Sequence, residues 1–112
     1  MNARDEQRLN DILASLEAIQ RHLARGGLSD GLVFDAVRIR LIEIGEAAKV
    51  LPPEVTATEP DIPWRDIARM RDYLAHRYFD TDHSIVEATV LHDLPALTEA
   101  VQRLLVRRQG GL

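Results

Sequence analysis

RDEQRLNDILASLEAIQRHLA, residues 4–24, sets the architecture. Its apolar residues Leu9, Ile12, Leu13, Leu16, Ile19 and Leu23 recur at steps of three and four. That spacing predicts an amphipathic helix with one buried stripe. Gly26-Gly27 should end it, since glycine readily takes the left-handed closing conformation. Ser29 or Asp30 can cap a second helix. Its stripe is Leu32, Val33, Ala36, Val37, Leu41, Ile44, Ala47, Ala48 and Leu51, and Pro52-Pro53 should stop it.

From Pro53 to Ile62 the chain is polar and interrupted by Pro60, Thr56 and Thr58, so it reads as a mobile connector. Pro63 suits the first turn of a third long helix. Trp64, Ile67, Met70 or Tyr73, Leu74 and Tyr78 would make its apolar side. Thr81 or Asp82 can cap a fourth stretch, whose stripe runs from Ile85, Val86, Thr89 and Val90 to Leu94, Leu97, Val101, Leu104 and Leu105. Pro95 lies inside that run. It either kinks one long helix or opens a separate one capped by Asp93. No segment alternates with period two over a useful length. The expectation is an all-α fold of one domain over residues 1–112, a mostly antiparallel bundle of four to five helices.

Composition narrows the function. The chain has no cysteine, which excludes disulfides and thiolate metal sites and fits a reducing cytoplasm. MNARDEQRLN is polar, with no apolar signal core after it, and no apolar run approaches ~18 residues. A cytoplasmic protein with no membrane contact is therefore expected. The formal charge is −4, so any contact with nucleic acid must be local. Thirteen of the fourteen cations are arginine and only Lys49 is lysine. Arginine suits bidentate phosphate contacts, but GC-rich coding also raises its share.

The segment RMRDYLAHRYFDTDH, residues 69–83, concentrates the candidate chemistry. Asp72 and His76 are four apart and share a helix face. Asp72 could fix the tautomer of His76 and raise its pKa. Arg71 precedes His76 by five positions, roughly 140° around an ideal helix. The two converge only if the helix loosens, if Arg71 reaches round, or if a second subunit contributes. A histidine near neutral pKa can move a proton, and an arginine fork can hold a phosphate. Together they suffice for RNA cleavage in which the 2′-hydroxyl attacks its own phosphate, without a metal or other cofactor. His22, His83 and His92 are scattered, and no glycine-rich phosphate loop appears. The bland alternative is a solvated face, with Arg65, Arg69 and Arg77 paired to Asp66, Asp72 and Asp80.

IPWRDIARMRDYLAHRYFDTD, residues 62–82, resembles the signature region of HepT-like proteins, a branch of the HEPN superfamily. RLIEIGEAAKVLP, residues 40–52, resembles the family's IGEAA helix, and LHDLPAL, residues 91–97, its last helix. The motif residues here are Arg71, Asp72, His76 and Tyr78. The resemblance implies a homodimeric helical bundle with the two motifs facing each other across the dimer cleft. It implies the toxin of a toxin–antitoxin module, similar to metal-independent endoribonucleases acting on tRNA or mRNA. Arg71 and His76 would carry the phosphate and proton roles, with Asp72 orienting or polarising. The implied partner is an MntA-like nucleotidyltransferase antitoxin that transfers AMP from ATP to Tyr78. The added charge and bulk would then block RNA.

Glu43 and Glu46 lie in the IGEAA helix. Glu46 either faces the cleft or pairs with a motif arginine, or else belongs to a buried or interface ion pair that positions helices. Two residues depart from the family pattern. Arg77 stands where relatives often have glycine and either adds a phosphate contact or crowds the site. Asp72 stands where asparagine is common; its charge repels phosphate while raising the basicity of His76. An alternative to the enzyme is an inactive helical dimer that binds a nucleotidyltransferase and serves as its substrate. A plain structural adaptor is a third possibility.

Overall fold

The computed structural model describes residues 1–75 and 79–110, with side chains given for all of these except 79–82 and 108–110. Every element among the described residues is helical. In chain order they are α1 (Ala3–Arg25), α2 (Gly31–Lys49), the single turn α3 (Pro53–Thr56), α4 (Trp64–Ala75), α5 (Phe79–Ala88), a π-helical turn (Thr89–Asp93) and α6 (Leu94–Gly110). The result is the expected all-α bundle.

Local chemistry explains the boundaries. Asn2 begins α1 with a capping box: its side chain accepts from the Asp5 amide at 2.8 Å, and the Asp5 carboxylate faces the Asn2 amide at 3.5 Å. Gly26 closes α1 with extended backbone, φ 177° and ψ 168°, not the expected left-handed turn. Asp30 caps α2, accepting from the amides of Leu32 at 2.9 Å and Val33 at 3.4 Å. The short link folds α2 back along α1, and the other face of α2 packs on α4. Thus α2 is the central helix, while α6 covers α1.

The core follows the periodicity. Leu9, Ile12 and Ile19 of α1, Val37, Leu41 and Ile44 of α2, Leu74 of α4, Val86 of α5, and Leu97 and Val101 of α6 are fully buried. Burying such side chains contributes about 1.5–3 kcal/mol each before conformational entropy is subtracted. Leu32 is the exception on α2. It sits in the first turn and is 83% exposed, so the stripe begins at Val33.

Four other expectations change. Segment 53–62 is not an open connector: α3 fills its start, and Val55, Glu59 and Ile62 are buried. Trp64 is only partly buried against the core, and its indole N–H donates to the Glu59 carbonyl at 3.0 Å. Thr81 and Asp82 lie inside α5, which already covers Phe79, so neither residue caps it. Of the two readings of Pro95, a separate helix capped by Asp93 does not form, since the chain is helical through that residue. Pro95 lacks the N–H that would reach the Leu91 carbonyl, and the preceding turn widens to π geometry while the chain stays helical. Thr89 stabilises that turn, its hydroxyl donating to the Ile85 carbonyl at 2.7 Å and lying 3.4 Å from the Met70 sulfur.

Candidate active site

Gly45 sets the geometry of the site. A Cβ there would lie 3.0 Å from the Arg71 Cβ and 3.0 Å from the Ile67 carbonyl oxygen of α4. A hydrogen at this position lets α2 and α4 come closer than most side chains would allow without a shift of a few tenths of an ångström. The next residue, Glu46, points outward, and its Oε1 accepts from Arg71 Nε at 3.2 Å. The IGEAA helix and the motif helix are therefore joined at the motif arginine. Of the two roles open to Glu46, the structure shows it paired with Arg71 in a partly exposed position.

Asp72 supplies the second partner. Its Oδ1 accepts from Arg71 Nη1 at 3.3 Å. The two carboxylates hold the guanidinium pKa above its ordinary value, chiefly through the hydrogen bond to Glu46 and then that to Asp72. Arginine is cationic at any working pH, so the consequence is orientation. Nε and Nη1 face carboxylates, and no described protein group accepts from Nη2. A guanidinium with a donor left over from its carboxylate partners can take a phosphate oxygen. Asp72 does not pair with Arg69, as the solvated-face reading had it, but with Arg71.

His76, Arg77 and Tyr78 lie outside the described residues. The described part of α4 runs to Ala75, one residue after Leu74. Arg38 of α2 meets the Leu74 carbonyl with its Nη2. A cation on a carbonyl near the C-terminal end of a helix complements the helix dipole. Sequence reasoning missed Arg38, because nothing in local spacing links it to a residue thirty-six positions on. Tyr73, read as the alternative to Met70 on the apolar side, is 57% exposed, since Ile67, Met70 and Leu74 already fill the buried side of α4.

Glu43 has a structural part in the same region. It accepts from Arg40 Nη1 and from the Ser15 hydroxyl, each at 3.1 Å, linking α2 to α1. His83 stacks on Phe34 of α2 with ring centroids 5.0 Å apart. No group of three or more histidines and carboxylates among the described residues could hold a metal ion. No described helix is long and apolar enough to cross a membrane.

With Arg71 fixed between Glu46 and Asp72, the sequence comparisons find their structural place. The family model described as ribonuclease HepT-like matches residues 9–104. The chain belongs to the HepT-like family. One HepT-like relative, in Thermococcus cleftensis, is named "Probable ribonuclease HepT"; it is 37% identical over 100 residues, covering 86% of this chain and 91% of its own. A candidate RNase of Caldanaerobacter subterraneus is 39% identical over 63% of this chain and 64% of its own. A Methanocaldococcus jannaschii protein, named as a gamma-glutamylcyclotransferase and candidate RNase, is 36% identical over 87% of this chain but only 46% of its own length. No solved structure matches the chain.

Proposed function

We propose that this HepT-like protein is a metal-independent endoribonuclease acting on tRNA or mRNA in the cytoplasm. The observation that carries the reading is the partly exposed Arg71, held at the close α2–α4 crossing by Glu46 through Nε and by Asp72 through Nη1. The ribonuclease names of relatives matched along most of the chain agree with it.

The reaction divides between two groups. The 2′-oxygen forms a bond to the adjacent phosphorus as the bond from phosphorus to the 5′-oxygen breaks. His76 takes the 2′-hydroxyl proton, and a proton is returned to the departing 5′-oxygen. Arg71 stabilises the charge that grows on the phosphoryl oxygens. Asp72 orients Arg71 directly, and Glu46 supports it from α2. Arg71 and His76 meet across a homodimer cleft, which removes the misfit of two groups about 140° apart on one helix. Arg77 adds a further cation beside the phosphate.

Control comes from a nucleotidyltransferase antitoxin that transfers AMP from ATP onto the Tyr78 hydroxyl and releases pyrophosphate. The nucleotide brings negative charge and bulk to the RNA cleft. The chain is accordingly the toxin of a two-gene module.

The test is RNA cleavage by unmodified protein in the presence of a chelator. Wild type should cut, and Arg71→Ala and His76→Ala should each lose at least about a hundredfold in rate. Unmodified, dimeric wild-type protein that leaves RNA intact would overturn the enzyme. Intact mass after co-expression with the neighbouring nucleotidyltransferase tests the switch. An AMP-sized addition should vanish in Tyr78→Phe, and one that persists refutes that acceptor.

A further inference from the structure

An open cleft of about 530 Å³ lies between α1 and α2, beside the Glu46–Arg71 pair. Glu46 lines it, so the cleft runs up to the motif arginine. Its three carboxylates are already engaged. Asp11 accepts from the Gln7 side-chain amide at 2.8 Å, Glu43 accepts from Arg40 and Ser15, and Glu46 accepts from Arg71. Arg40 is committed to Glu43. The other two cations of the cleft, Arg8 and Arg21, have no carboxylate partner among the described residues. Arg8 Nε is also buried and has no hydrogen-bond acceptor.

Arg8 is partly exposed and lines the cleft without a carboxylate partner, so its guanidinium has donors for an acceptor seated in the cleft. For a guanidinium that acceptor is an anion, and oxygens of a phosphodiester suit its fork. About 20 Å of helix axis separates Arg8 from Arg21, enough to follow several nucleotides of an extended strand. Ala14, Ala18 and Ala47 also line the cleft, where short side chains leave room for a sugar–phosphate chain. A chain of net charge −4 cannot hold RNA over its whole surface and needs such a local track.

We propose that the α1–α2 cleft binds the phosphate backbone of single-stranded RNA. Arg8 and Arg21 each hold a phosphate, and the strand passes Glu46 to reach Arg71. The inference rests on the ribonuclease reading and deepens it, by assigning a substrate-binding track away from the reacting phosphate.

The experiment measures binding of a short 2′-O-methyl oligouridine, which cannot be cut by its own 2′-oxygen, over a range of salt concentrations. Each phosphate contact on a single strand contributes about 0.7 to the slope of log affinity against log salt. Arg8→Gln with Arg21→Gln should flatten that slope by about 1.4 and weaken binding at low salt. Arg8→Lys with Arg21→Lys should keep most of the slope, because the charges remain. Circular dichroism and thermal melts should match wild type for both pairs, since neither residue belongs to the apolar core. If wild type cleaves RNA and the glutamine pair retains the full slope, the track is overturned while the enzyme stands. The track also falls if oligoglutamate binds the cleft and the oligouridine does not. If wild type neither binds the oligouridine nor cleaves RNA, the ribonuclease reading falls and takes the track with it.

Discussion

Glu46 reaches across from α2 to Arg71 on α4, its Oε1 3.2 Å from the guanidinium Nε. Twenty-five positions separate the two residues in sequence. The pair is partly exposed, so its worth to stability is small, about 0–1 kcal/mol. Its effect should be on function. Glu46→Ala should melt within a few degrees of wild type yet lower the kcat for RNA cleavage, because the fork of Arg71 loses one of its two orienting acceptors. Glu46→Gln keeps an acceptor oxygen and should retain most of the rate. Steady-state kinetics beside thermal melts separate the effects. A fall in melting temperature matching the fall in rate would make the pair structural only.

Gly45→Ala tests the close crossing itself. The added Cβ meets backbone at the Ile67 carbonyl and the base of the Arg71 side chain, both at 3.0 Å. Neither is the free end of a flexible side chain, so the helices must separate. Overpacking of this kind costs about 1–3 kcal/mol, against which alanine returns about 1 kcal/mol of helix propensity. The net expectation is a loss of about 1 kcal/mol together with a reduced cleavage rate. Chemical denaturation should register the first and an RNA assay the second.

The interior was largely legible because one stripe of each long helix faces it. Leu9, Ile12, Leu16 and Ile19 recur at helical spacing, and all are buried. What periodicity could not give was anything joining distant positions. It left Met70 and Tyr73 as alternatives for one side of the stripe, because either fits helical spacing, and Met70 is the one buried. It read residues 53–62 as a connector, since the contacts fixing Glu59 come from Arg103 and Arg107, more than forty positions later. The candidate site behaves likewise. Arg71 and Asp72 were visible as a local pattern, and Glu46 as part of a motif. That Glu46 touches Arg71, and that Arg38 reaches Leu74, depends on how α2 and α4 cross.

Arg38 should prove to be a positioning residue. Its Nη2 meets the Leu74 carbonyl at the last turn of α4, immediately before the segment that carries His76. Arg38→Ala leaves that carbonyl without its cation and should cost about 1 kcal/mol. Amides in the last turn of α4 should exchange with solvent faster, while those of α1 keep their protection. Cleavage should fall by more than the stability loss explains, and Arg38→Lys should restore part of it. Unchanged exchange in α4 would remove Arg38 from this role.

Glu59 gives the fold a defined acid response. Its side chain is 8% exposed and lies 2.7 Å from Arg103 Nη2 and 2.8 Å from Arg107 Nη2 of α6. The Arg103 hydrogen bond is the largest influence on its carboxyl; burial opposes it, and the two nearby charges add to it, leaving the pKa below the ordinary 4.5. A carboxyl depressed in the folded state binds its proton more weakly there than in the unfolded chain. Its contribution is therefore complete above pH 4.5 and declines as pH falls through that value toward the lower folded pKa. Glu59→Gln cannot titrate and should lose stability at neutral pH, by about 1.5 kcal/mol, the scale of a hydrogen bond to a charged group. Below pH 4.5 the gap between variant and wild type should narrow. Melting temperatures measured from neutral pH into this acid range check both the offset and its closure. A constant offset across the range would mean that Glu59 does not exchange a proton in folding.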